Sequence, residues 1–182
     1  MYALVEDNII TKTYNNPRGM TIGDVQYPQN IHSLWPEAEL NAIGIYTVVY
    51  DNTNKKDEEW YTNTNQTLAF AGGVVTASYG TATAKAIEGL KTLKKKTFDS
   101  KAAGLLAKYD WYVIRNTEAG TAIPSAITDY RTAVRTKCNS MQAQVDGAAD
   151  VDALAALLTY TEQEDESITR PLGEWPTDPN AE

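Results

Sequence analysis

The sequence predicts an α+β protein: a small antiparallel β-rich N-terminal head over residues 1–80, a helical hairpin or three-helix region over 81–160, and an extended acidic tail over 161–182. Three observations predict it. Short β-branched and aromatic runs separated by turn signals fill the first part of the chain, without the alternation of strand and helix that a parallel sheet requires. From Ala82 the composition changes to Ala, Lys and Leu, which are good helix formers. Beyond Tyr160 the run TEQEDESITRPLGEWPTDPNAE is acidic, contains proline and has few apolar residues.

Within the head, Tyr2–Val5 and Ile9–Tyr14 read as strands joined at Glu6-Asp7-Asn8. Asn15–Gly19 breaks the chain. Ser33–Asn41 reads as one short helix, with Pro36 near its start, Glu37 and Glu39 in its first turns and Gly44 past its end. Ile45–Tyr50 is a β-branched strand leading into the polar turn Asp51–Lys56. Glu59–Phe70 and Val74–Tyr79 form a further hairpin about Gly72-Gly73.

The helical region is organised around Lys101–Val145. Ile127, Tyr130, Val134, Cys138, Met141 and Val145 recur at three- and four-residue steps and form one helical stripe. Leu105, Leu106, Tyr109, Trp111, Tyr112, Val113 and Ile114 supply an apolar band to face it, broken by Asn116 and Gly120 before Pro124 restarts the helix in its first turn. The expected unit is an antiparallel αα-hairpin. Ile87, Leu90, Leu93 and Phe98 extend it backwards, with Lys91, Lys94, Lys95, Lys96 and Lys101 on the opposite, basic side. A helix from Ala82 through Trp111 would exceed the usual length, so it either projects or breaks near Gly104. After Gly147, Asp150 is placed to cap a third helix carrying Val151, Leu154, Leu157 and Leu158. In the acidic tail Leu172 and Trp175 are the expected anchors.

Composition narrows the function. Sixteen basic against 24 acidic residues give a net charge of -8, which argues against nucleic acid and anionic membranes as partners. No segment has the length of a membrane span and no secretory leader is evident, so synthesis in a cytoplasm is expected. The single cysteine, Cys138, falls on the apolar stripe and reads as a buried hydrophobe. His32, the single histidine, has no ligand-spaced neighbour and reads as a turn residue. No nucleophile elbow, P-loop or dinucleotide fingerprint occurs. The acidic pairs Glu37/Glu39 and Glu58/Glu59 are spaced so that their members do not face each other. Neither enzyme activity nor a metal or cofactor is expected.

The basic helix side has two readings, a solvated face or a dock for an acidic surface such as Glu162–Glu166 of the same or a neighbouring chain. Trp111 and Arg115 lie four apart, as do Arg131 and Arg135, with Tyr130 beside them. These residues are either a solvated face, with Arg115 paired to Glu118 and Arg131 to Asp129 or a neighbour, or a partner-binding face. Trp, Tyr and Arg are the side chains that concentrate at interface hot spots.

The run LLAKYDWYVIRNTEAGTAIPSAITDYRTAVR (Leu105–Arg135) combines a leucine pair, Asp-Trp, a spacer with proline, and Tyr-Arg followed by a second Arg. It resembles bacteriophage tail assembly chaperone and tail fibre assembly proteins. The Trp-Pro ending, ITRPLGEWPTDP, resembles the tail fibre assembly proteins too, and the segment AADVDALAALL lies between the two. The resemblance implies a tail fibre or other tail protein as partner, either as a structural component retained in the virion tail or as a transient assembly chaperone absent from it. Trp111, Arg115, Tyr130, Arg131, Arg135, Leu172 and Trp175 are the expected contacts; a homo-oligomer stays open.

Overall fold

Asp7 and Asn8 both take positive φ, 52° and 62°, the mirror-image two-residue turn that suits the twist of a hairpin. It joins β1 (Tyr2–Glu6) to β2 (Ile9–Tyr14), as the sequence predicts. The computed structural model describes residues 1–180 and falls into two units, Met1–Thr83 and the chain from Ala84 onward.

In the first unit a second hairpin, β3 (Met20–Ile22) and β4 (Val25–Tyr27), turns at Gly23-Asp24 and was not anticipated; three-residue strands are too short to show alternation. The expected helix Ser33–Asn41 is instead two, α1 (Ile31–Leu34) and α2 (Glu37–Ala42). Trp35 between them is extended, at φ -90° and ψ 138°, because the ring of Pro36 excludes the helical region from the residue before it. Then follow β5 (Ile45–Asp51), β6 (Tyr61–Thr62), β7 (Gln66–Ala71) and β8 (Val74–Tyr79), with Gly72 and Gly73 at the β7–β8 turn.

The main sheet runs β2-β1-β5-β8-β7. It departs from the expected antiparallel sheet at one pair: β5 and β8 are parallel, from Val48↔Val75 to Asp51↔Ser78. The chain leaves β5, crosses to the edge strand β7, and the hairpin then folds β8 back into the space beside β5, which leaves it pointing the same way. Alternation along β1 and β5 divides the apolar side chains between two clusters. Leu4, Tyr14, Met20, Ile31, Leu40 and Ile45 form one; Ala3, Val5, Val48, Val75 and Ala77 form the other, with Leu68 and Phe70 against it.

The passage between units falls within β9 (Thr83–Ala84). The long helix begins at Ile87 rather than Ala82, because Thr83 and Ala84 are strand and Ala86 is extended. α3 (Ile87–Ala107) continues through Gly104, because its packing on α5 outweighs the ~1 kcal/mol that a glycine costs a helix interior, and ends at Lys108–Tyr109. α4 (Asp110–Ala119) and α5 (Ser125–Gly147) follow; Gly120, at φ 65°, closes α4, and Pro124 is the cap of α5 rather than a member of its first turn. α6 (Val151–Leu158) starts at Asp150, whose Oδ1 accepts from the Ala153 N–H at 2.8 Å as expected.

The predicted stripe Ile127, Tyr130, Val134, Cys138, Met141 and Val145 is buried throughout. Its facing helix is chiefly α3, through Leu90, Phe98 and Ala102; of the expected band Leu105–Ile114, Tyr109 packs on Tyr130, while Trp111, Val113 and Ile114 stay exposed. The bend at Lys108–Tyr109 takes α4 off that face. Lys91 and Lys95 are corrected as well: Lys91 is buried and donates from Nζ to the Asp146 carbonyl at 3.0 Å, and Lys95 reaches the Asp146 carboxylate at 2.7 Å. Both meet the negative end of α5, where cations are favoured, rather than Glu162–Glu166. They also show that α3 and α5 run antiparallel.

The segment past Tyr160 is not extended throughout. β10 (Thr161–Glu162) pairs with β11 (Ile168–Thr169) about a turn in which Glu166 has φ 64° and the Asp165 carboxylate accepts from the Ser167 N–H. No helix of the described residues is long and apolar enough to cross a membrane.

Candidate partner-binding site

α4 is short, amphipathic in composition, and buries none of its side chains. Trp111 is 49 %, Val113 39 % and Ile114 56 % exposed. Trp111, Ile114 and Arg115 share one side of the helix by their spacing. The Arg115 guanidinium lies over the Trp111 ring at 4.8 Å and over the Tyr112 ring at 5.1 Å, and the two rings are 3.8 Å apart by their centroids. This stack replaces the expected Arg115–Glu118 pair, because two electron-rich ring faces lie within reach of the guanidinium. The Arg115 Nε has no hydrogen-bond partner.

Arg131 has a different task from the one its residue type suggests. Only 9 % exposed, it donates from Nη1 to the Leu106 carbonyl and to the Asp110 carboxylate, each at 2.8 Å. Asp129 stands two residues before it and so on the outer side of α5, whereas Arg131 falls on the inner side with Val134. It therefore fastens the last turn of α3 and the first residue of α4 to α5. Tyr130 is buried against Tyr109, edge to face at 5.6 Å, and its hydroxyl has no partner; burial, and then the Asp178 carboxylate, push that phenol upward. Arg135 is exposed and only grazes the Arg131 carbonyl at 3.5 Å.

Leu172 is fully buried, its N–H bonded to the Leu157 carbonyl at 3.0 Å and its carbonyl to Lys137 Nζ at 2.8 Å. Trp175 is half-buried, and Pro176 after it lies beside Thr132, Ala133 and Thr136 of α5. Of the seven expected contacts, the structure thus stacks Trp111 with Arg115, assigns Tyr130, Arg131 and Leu172 to interior packing, and leaves Arg135 and Trp175 accessible at other places on the unit.

Residues outside the seven expected contacts complete the neighbourhood. Asp178 accepts from the Tyr109 hydroxyl and from Lys108 Nζ at 3.1 Å, and also from the Asn180 N–H at 2.9 Å. Tyr112 forms the second ring under Arg115. The Tyr109 hydrogen bond, followed by the others, holds the Asp178 carboxyl down at about 2, and the same bond pushes the Tyr109 phenol upward. Because the folded value lies below the ordinary 3.8, the stabilising contribution of Asp178 is complete above about pH 4 and is lost as pH falls towards 2. A carbon-detected NMR titration should place the Asp178 midpoint near 2; a midpoint near 4 would show that these bonds are absent in solution.

Both His32 ring nitrogens are buried without hydrogen-bond partners, and the ring lies 4.4 Å from that of Tyr2. The Cys138 thiol is buried, and burial, then the nearby Asp99 carboxylate, push it upward, away from the thiolate form. Among the described residues no three His, Cys, Asp or Glu side chains converge to hold a metal ion. No protein-family model matches the chain, and neither a curated protein nor a solved structure matches it.

Proposed function

We propose that this chain is a non-catalytic bacteriophage tail protein, retained in the virion tail, that docks a tail fibre or another tail protein through α4. The observation that carries the docking part is the exposure of Trp111, Val113 and Ile114 on a helix that buries no side chain of its own. Leaving such groups in water forfeits the gain of burying them, about 1.5–3 kcal/mol for a large apolar side chain, so a partner that covers them recovers it. Arg115 on the Trp111 and Tyr112 rings pre-orders the cluster before any partner arrives, which lowers the entropy cost of binding. The assignment to a phage tail rests on the Asp110-Trp111, Tyr130-Arg131 and Trp175-Pro176 motifs and their resemblance to tail assembly proteins. Their Arg131–Asp110 bond gives two of these motifs a shared structural purpose.

A transient assembly chaperone is the second reading, favoured by the same exposed face, since a chaperone must present its binding surface uncovered. Mass spectrometry of purified virions separates the two: stoichiometric presence supports retention, absence supports the chaperone. The docking itself is tested by pull-down of the neighbouring tail fibre or tail protein with Trp111→Ala, Arg135→Ala and Trp175→Ala, each checked for unchanged melting. Trp111→Ala is expected to weaken the complex tenfold or more, corresponding to about 1.4 kcal/mol or above. If all three variants bind as the parent does, the interface is not on this unit.

A further inference from the structure

We propose that the segment from Leu172 to Asn180 is a detachable latch that fixes the bend between α3 and α4 and so sets the direction in which α4 presents Trp111. The bend at Lys108–Tyr109 is held from two sides. On one, Arg131 of α5 takes the Leu106 carbonyl and the Asp110 carboxylate. This clamp belongs to the interior, since Arg131 is buried in a helix whose stripe is closed against α3.

On the other side stands Asp178, which takes the two residues of the bend themselves, Lys108 through Nζ and Tyr109 through its hydroxyl. Its side chain is 14 % exposed, although it sits on a stretch with no helix or strand. The stretch is well anchored only where it begins: Leu172 is fully buried and bonded through its backbone to Leu157 and Lys137. From Glu174 onward, the hydrogen bonds that tie it to the rest of the unit run through side chains, Asp178 foremost. A segment of this kind opens at far lower cost than a helix or a sheet strand.

Opening has a defined consequence at the bend. Tyr109 is 5 % exposed and packed on Tyr130, whose hydroxyl already lacks a partner. Without Asp178, both phenols of this pair would lack an acceptor, and the bend would depend on Arg131 and the Tyr109–Tyr130 contact. α4 has no buried side chain with which to compensate. The latch rests on the bonds of the bend and holds whichever partner α4 takes.

Hydrogen exchange by mass spectrometry on the full chain tests it with Asp178→Ala, which removes both bonds, and Tyr109→Phe, which keeps the ring and removes one. In Asp178→Ala the amides of residues 110–119 are expected to exchange ~10-fold faster while those of 127–145 stay as in the parent, and in Tyr109→Phe the acceleration is smaller. The proposal is overturned if α4 exchanges in Asp178→Ala as it does in the parent. It is equally overturned if α5 accelerates in step with α4, because the segment would then be general packing and not a latch.

Discussion

Val134→Asp is expected to abolish the fold of the helical unit. Val134 is fully buried in the middle of the α5 stripe, among Tyr130, Cys138 and Met141 on its own helix and opposite the apolar side of α3. A carboxylate there has no water and no cation of the described interior aimed at it, since Arg131 is already committed to Leu106 and Asp110. The cost is on the order of 5 kcal/mol, comparable with the whole stability of an ordinary domain. Val134→Ala, which only leaves a small void, should cost about 2 kcal/mol and serves as the control. Far-UV circular dichroism and thermal melting decide the matter: a Val134→Asp protein that melts like the parent would mean that the stripe does not face α3.

Gly44→Ala should be the most damaging small change in the β-rich unit. Gly44 has φ 84°, and a Cβ there would stand 2.5 Å from the Val5 carbonyl oxygen, a backbone atom that cannot swing aside. The same glycine accepts a 2.8 Å hydrogen bond from the Val5 N–H, so relief of the clash would pull apart the start of the β1–β5 pairing. Left-handed strain together with this displacement should cost roughly 3 kcal/mol or more. Gly72→Ala is the informative comparison. It has a similar φ of 58° but open space around the added carbon, so only the local strain, about 1 kcal/mol, applies. Chemical denaturation of the full chain, with exchange of the β1 and β5 amides as the local probe, should rank the two in that order. Equal stabilities would show that the close approach to Val5 is relaxed in solution.

What could be read in advance was whatever depends on local chemistry or on a repeat long enough to count. The α5 stripe spans five steps and every member is buried; Asp150 caps α6 because a carboxylate three residues ahead of a helical N–H needs no tertiary help. The Asp7-Asn8 turn is legible for the same reason. Features decided by distant residues were not. Gly104 is the obvious breaker in the sequence, yet the chain bends at Tyr109, where Arg131 and Asp178 supply partners from 22 and 69 residues further on. A charge within an apolar stripe was the available hint for Arg131: it stands three residues before Val134, on the inner side, but its charge favoured an outward reading. At the candidate site, the exposure of Trp111 was compatible with either expectation from the sequence, and its stacking with Arg115 depends on Tyr112, whose apolar character had assigned it to the core.

The parallel pair in the sheet also orders events in time. β1 is completed by β5, more than forty residues later, and β5 by β8, which begins another twenty-three residues on, at Val74. A chain leaving the ribosome therefore carries its β1–β2 hairpin with Ala3, Val5 and Ile10 open to water until residue 79 has emerged, because the strand that covers them does not yet exist. The α3–α5 pair can begin at its near end, where Arg131 meets the Leu106 carbonyl 25 residues back, and extend from there to Lys91 and Asp146, 55 residues apart. A chaperone that shields nascent apolar strands would therefore meet this chain first at its β-rich half.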